Sequence, residues 1–132
     1  LDFEGDTGPY VQYAHARLCS ILRKAGQEVT PQVDFALLSL PEEWALVRLM
    51  ESFPARIRSA ADGREPSIIA TYLLELCAQL SAYYSAGMRD AARRVLCDDA
   101  GVRAARLLLV SGLREVIRGG LTLLGVATPE RM

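Results

Sequence analysis

The sequence predicts an all-α fold, an antiparallel bundle of four or five helices joined by short connections, and three observations carry that expectation. Apolar residues recur at steps of three, four and seven through each long segment. Glycine and proline punctuate the chain between those segments, at Gly8-Pro9, Gly26, Pro41, Pro54, Gly63 and Pro66. No stretch alternates apolar and polar residues as a half-buried strand would, and no internal repeat is visible. At 132 residues, with 51% hydrophobic and 23% charged side chains, the chain has the size and balance of one domain with its own core.

The first helix is expected from Pro9, a residue favoured in the first turn, to Gly26, a favoured residue just past a helix end, which gives about four turns. Val11, Ala14, Leu18, Ile21, Leu22 and Ala25 form its apolar stripe, and Tyr10, Tyr13, Arg17 and Lys24 form a second stripe beside it. After a loop around Thr30-Pro31, Ser39 is the expected cap of a second helix. Pro41 lies in its first turn, and Glu42 and Glu43 sit where the helix dipole favours anions. Leu46, Leu49, Met50 and Phe53 continue that helix until Pro54 ends or kinks it. A further helical turn or two, Ala55 to Ala61, leads through Asp62-Gly63 to Glu65-Pro66-Ser67. There a long helix restarts with Ile69, Tyr72, Leu73, Leu76, Leu80, Tyr83 and Gly87 on one face. The last helix is expected to begin near Asp98-Asp99, to bury Val102, Ala105, Leu109, Leu113, Val116 and Ile117, and to loosen at Gly119-Gly120.

Charge and composition narrow the classes of function. The net charge is −1, with arginine supplying all the basic residues except Lys24. Acidic residues cluster in the opening segment (Asp2, Glu4, Asp6), whereas Met88 to Arg118 carries seven arginines against four acids. A nucleic-acid partner is permitted, although the domain-wide basic excess typical of one is missing. No apolar run approaches the ~20 residues of a membrane span and no secretory leader is visible, so a cytoplasmic protein without a membrane partner is expected. Cys19, Cys77 and Cys97 are odd in number and widely spaced, which indicates reduced thiols rather than a disulfide framework or a zinc site. The chain opens on Leu1, so a piece of a longer protein is expected.

Candidate chemistry is sparse. His15, the only histidine, has Cys19 one helical turn away, which is the spacing of a thiol and its base. Neither an oxyanion donor nor a third orienting group accompanies them, so His15 is expected to be structural and no catalytic residue is assigned. A single histidine argues against a metal site, and Gly5 and Gly8 lack the strand and GK[ST] of a phosphate loop. The Tyr10, Tyr13, Arg17 stripe is better suited to binding. Aromatic rings and guanidinium planes are what unstacked RNA bases lie on, although tyrosines bordering a core would show the same periodicity.

Phe3 to Arg17, read as FEGDTGPYVQYAHAR, resembles the segment leading into the anticodon-binding domain of arginyl-tRNA synthetases, the helical domain called DALR. Further similarities follow in order: Leu40-Pro41-Glu42-Glu43 with Phe53-Pro54, then Tyr72-Leu73-Leu74-Glu75-Leu76 with Tyr83-Tyr84, then Leu121 to Val126 and the closing Pro129-Glu130-Arg131-Met132. The resemblance covers essentially all of residues 1–132.

The resemblance implies that residues 1–132 are a single anticodon-binding domain, with residues 1–8 a connector from a catalytic domain upstream of Leu1. That domain would carry the HIGH-like and KMSKS-like motifs, which are not found in this sequence. The whole enzyme would activate arginine with ATP and magnesium and attach it to tRNA(Arg), an activation that in this family usually requires bound tRNA. It would be a monomer, and this segment would hold the anticodon loop without any cofactor of its own. Carried over residue by residue, the anticodon-binding positions are Tyr13, Arg17, Tyr84 and Met132, with Met88 where relatives place another bulky side chain. Tyr10 and Lys24 are possible additional RNA contacts. Two other roles fit such a domain: a stand-alone DALR module partnering a tRNA-modifying enzyme such as a methyltransferase, and a helical protein-interaction domain. The Gly87 to Ala100 connection, with Arg93-Arg94, has no assigned role.

Overall fold

The computed structural model describes residues 3–132, with side chains described from residue 5 onward, so Leu1 and Asp2 of the expected connector lie outside it. Five α-helices account for most of the chain: α1 Gly8–Ala25, α2 Pro41–Glu51, α3 Phe53–Gly63, α4 Ser67–Arg89 and α5 Ala100–Leu123. There is no strand among the described residues, and none of their helices is long and apolar enough to cross a membrane. Phe3–Thr7 forms a wide π-helical turn leading directly into α1, broken at Gly5, where ψ is −123°.

Long-range contacts fix the topology. Gln12 on α1 bonds Ala127 just past α5, while Arg103 near the start of α5 bonds Gln27 just past α1, so the two helices run antiparallel. α4 is antiparallel to both α2 and α5: Tyr72 donates to the Leu49 carbonyl at 2.6 Å, Tyr83 donates to Glu43, and Leu73 packs on Gly120. α1 and α4 run parallel, with Tyr10 and Tyr13 level with Leu80 and Ser81, and Lys24 level with Met88. The 26–40 connection between α1 and α2 and the 90–99 connection between α4 and α5 are each pinned by a single 3₁₀ turn. Asp34 and Asp90 cap those turns through their side chains.

The apolar repeat of α4 is the centre of the core. All seven positions expected on its face, Ile69 to Gly87, are buried. Ala105, Leu109, Leu113 and Ile117 of α5 and Val11 and Leu18 of α1 close on it as their spacing predicts. Phe53 stacks on Tyr72 with ring centroids 5.4 Å apart, joining α3 to the same cluster.

Several helix ends differ from expectation, for physical reasons. The cap of α2 is Leu40, not Ser39, because Glu43 reaches back one turn and accepts the Leu40 N–H at 3.0 Å. Pro54 does not terminate α2. The break falls at Ser52, and Pro54 occupies the first turn of α3, where its missing N–H has no intrahelical partner to lose. α5 does not loosen at Gly119-Gly120 but continues to Leu123. A β-carbon on Gly120 would stand 2.7 Å from Leu73 Cδ2, so this glycine permits close approach of α4 and α5. Two ends hold as read: Asp99 caps α5 by accepting the Val102 N–H at 3.0 Å, and Gly26 closes α1 in the left-handed conformation, with φ 62°.

Candidate nucleic-acid interface

The two stripes of α1 serve different surfaces. One side is clasped by the C-terminal tail. Gln12 Nε2 donates to the Ala127 carbonyl (2.9 Å), His15 Nδ1 to Pro129 (2.9 Å) and Arg23 Nη1 to Glu130 (3.2 Å). A carbonyl only accepts, so His15 carries its proton on Nδ1. His15 is fully buried and Cys19 Sγ lies 3.9 Å away, which makes the pair part of a packed seam. The tail advances along α1 in the direction of the helix, and Met132 follows two residues past the Arg23 contact, 57% exposed.

The opposite side of α1 faces solvent and α4. Here the Arg17 guanidinium carbon stands 4.2 Å from the centre of the Tyr84 ring, a cation–π contact between the two helices. Cavities open on either side of this pair. The smaller, about 120 Å³, is walled by Tyr10, Tyr13, Arg17 and Tyr84; the larger, about 450 Å³, by Arg17, Lys24, Tyr84, Met88, Arg94 and Leu96. The larger falls within the few hundred Å³ usual for ligand sites. Tyr13 is 58% and Met88 73% exposed, unusual for large apolar or aromatic groups in a chain with so complete a core. The Tyr84 hydroxyl, by contrast, is buried and has no hydrogen-bond partner among the described residues. Burial pushes its pKa well above the usual phenol value, with nearby Arg17 only partly opposing, so Tyr84 stays a neutral donor at physiological pH.

The structure thus brings six of the seven residues singled out from the sequence around two adjoining cavities: Tyr10, Tyr13, Arg17, Lys24, Tyr84 and Met88. Met132 stands apart from both cavity linings, at the end of the clasped tail.

Sequence reasoning missed the far wall of the larger cavity, which the 90–99 connection supplies. Arg93 is held by Glu42 and Asp90, and Arg94 Nε donates to the Gly87 carbonyl at 2.9 Å. Behind them, Arg106 donates to the carbonyls of Ala92 (2.7 Å) and Arg94 (2.9 Å) and to Glu43 Oε2 (2.8 Å). Glu43 Oε2 also accepts from Tyr83 at 2.6 Å, and the Arg106 and Glu43 side chains are 3% and 0% exposed. A buried ion pair with its donors and acceptors so engaged fixes the wall in one arrangement. The signal was present in the sequence, since Arg106 interrupts the apolar stripe between Ala105 and Leu109, where an unpaired charge is not tolerated.

Comparison with known proteins places the sequence and the fold in a family. The family described as the DALR anticodon binding domain matches residues 11–132. Over all of this chain, the arginine–tRNA ligase of Lactococcus lactis subsp. cremoris is 46% identical, that of Thermus thermophilus 47% and that of Clostridioides difficile 39%. The chain spans 22% of the length of each of these relatives. The structure of Thermus thermophilus arginyl-tRNA synthetase superposes on 99% of the chain with a TM-score of 0.83 at 45% identity, again over 22% of the larger protein. The chain belongs to the DALR anticodon-binding domain family.

Proposed function

We propose that this chain binds the anticodon loop of tRNA(Arg), as the C-terminal domain of an arginine–tRNA ligase whose catalytic domain precedes it. The observation that carries this reading is the Arg17–Tyr84 pair set between two cavities and flanked by the exposed Tyr13 and Met88. A base entering either cavity meets an apolar, aromatic wall on which it can stack, and guanidinium donors able to reach a base edge or a phosphate. The orphaned Tyr84 hydroxyl would gain a partner from such a base. Met132 would close the site from the tail, through its thioether or its terminal carboxylate. Tyr10 and Lys24 would extend it along the loop.

The catalytic half of the reaction, arginine activation with ATP and magnesium, belongs to the rest of that enzyme. Among the described residues no three His, Cys, Asp or Glu side chains stand close enough together to hold a metal ion. The whole enzyme would act as a cytoplasmic monomer.

Base stacking contributes ~1–3 kcal/mol, so Tyr13→Ala should weaken binding of an RNA hairpin bearing the tRNA(Arg) anticodon loop by roughly one to two orders of magnitude. Unchanged affinity, with the helical spectrum and thermal midpoint preserved, would remove Tyr13 from the site.

A further inference from the structure

We propose that Arg94 is a phosphate-binding residue, positioned by Gly87 and Arg106 to grip the RNA backbone while the bases enter the larger cavity. The proposal rests on the anticodon-binding reading and adds a residue to it.

Three independent features converge on Arg94. Its Nε donates to the Gly87 carbonyl at 2.9 Å, which fixes the plane of the guanidinium. Its own carbonyl accepts from the buried Arg106 at 2.9 Å, so its backbone is anchored to the core of the bundle. Gly87 completes the seat: a β-carbon there would stand 3.3 Å from both Cα and Cγ of Arg94, so a larger residue would push the arginine outward.

Anchoring through Nε and the backbone leaves both Nη groups without a protein partner among the described residues. The neighbouring Arg93 is different, being paired with Glu42 and Asp90. Arg94 therefore presents a pre-oriented two-pronged fork, the geometry that suits two phosphate oxygens. Arg94 is exposed where it lines the cavity, whereas Tyr84 is half-buried. Bases stacking inward on Tyr84 and Arg17 would leave their phosphates outermost, at the level of Arg94.

The test titrates an anticodon-loop hairpin of tRNA(Arg) into the 132-residue chain and its variants at several salt concentrations. Arg94→Met should bind about tenfold more weakly at low salt, and its plot of log affinity against log salt should be shallower by roughly 0.7, the value of one single-strand phosphate contact. Arg94→Lys keeps the charge and so should keep the salt slope while losing several-fold in affinity. Gly87→Ala should weaken binding in the parent chain yet add little to Arg94→Met. If Tyr13→Ala weakens binding while Arg94→Met leaves both affinity and slope unchanged, Arg94 is not a contact and the anticodon reading stands. If the parent chain does not bind, or neither variant changes binding, both fall. Should Arg94→Met fail to fold, Arg94→Lys and Gly87→Ala decide alone, and wild-type affinity in both overturns the proposal.

Discussion

The Tyr84 hydroxyl is buried and has no hydrogen-bond partner among the described residues, which costs about 1–3 kcal/mol at a buried site. Tyr84→Phe should therefore be neutral or stabilising by about 1 kcal/mol in thermal unfolding, while weakening hairpin binding in a titration. Neutral stability with unchanged binding would show that the hydroxyl does not face the RNA. His15 offers the complementary case, a buried polar side chain whose Nδ1 is paired with the Pro129 carbonyl of the tail and whose Nε2 faces Cys19 Sγ. His15→Leu removes the donor to Pro129 and should expose the last residues to carboxypeptidase several-fold faster, with the helical spectrum retained. The seam thus links α1 to the placement of Met132 and separates the motif QYAHAR into two faces. Gln12 and His15 hold the tail, and Tyr13 and Arg17 look toward α4.

Among the elements, α4 was the most legible from sequence, because every third or fourth residue from Ile69 to Gly87 is apolar or small and every one is buried. The 90–99 connection was the least legible. Its conformation is set by Arg106, fourteen residues from Ala92 in the chain, and hydrophobic periodicity carries no information about such a bond. Ser39 was misread for a related reason: a residue type that often caps was preferred over Glu43, whose side chain performs the task from inside the helix. The Arg106–Glu43 pair can be tested as a unit. Arg106→Met alone leaves Glu43 charged and buried and should cost about 3–5 kcal/mol in denaturant unfolding. The double variant Glu43→Leu, Arg106→Met should recover much of that loss, because no unpaired charge remains. Gly120→Ala should cost about 1–3 kcal/mol through its collision with Leu73, measured in the same way.

For the whole molecule, the all-helical class and the position of the core could be read from the sequence, as could six residues that line the two cavities: Tyr10, Tyr13, Arg17, Lys24, Tyr84 and Met88. The two-cavity arrangement could not, since it depends on α1 and α4 running parallel. The core also sets an alkaline limit. Burial holds the Cys77 thiol up at about 12, against 9.0 when free, and burial likewise raises Tyr72 to about 12 despite the nearby Ser52 hydroxyl and Arg56. Both groups are raised acids, so the unfolded chain loses their protons first and stability falls as pH rises from about 9 to 12. Cys77→Ala should flatten part of that fall, as followed by thermal midpoints across the same range.

The claim that the α1/α4 face is an anticodon-binding surface is tested most directly by titrating the isotopically labelled chain with the tRNA(Arg) anticodon hairpin and mapping the resonances that move. The largest shifts are expected at Tyr13, Arg17, Tyr84, Met88 and the 93–96 segment, and they should shrink as salt is raised. Shifts confined to the opposite apolar face, around Phe35 and Trp44, or no saturable shifts at all, would contradict it.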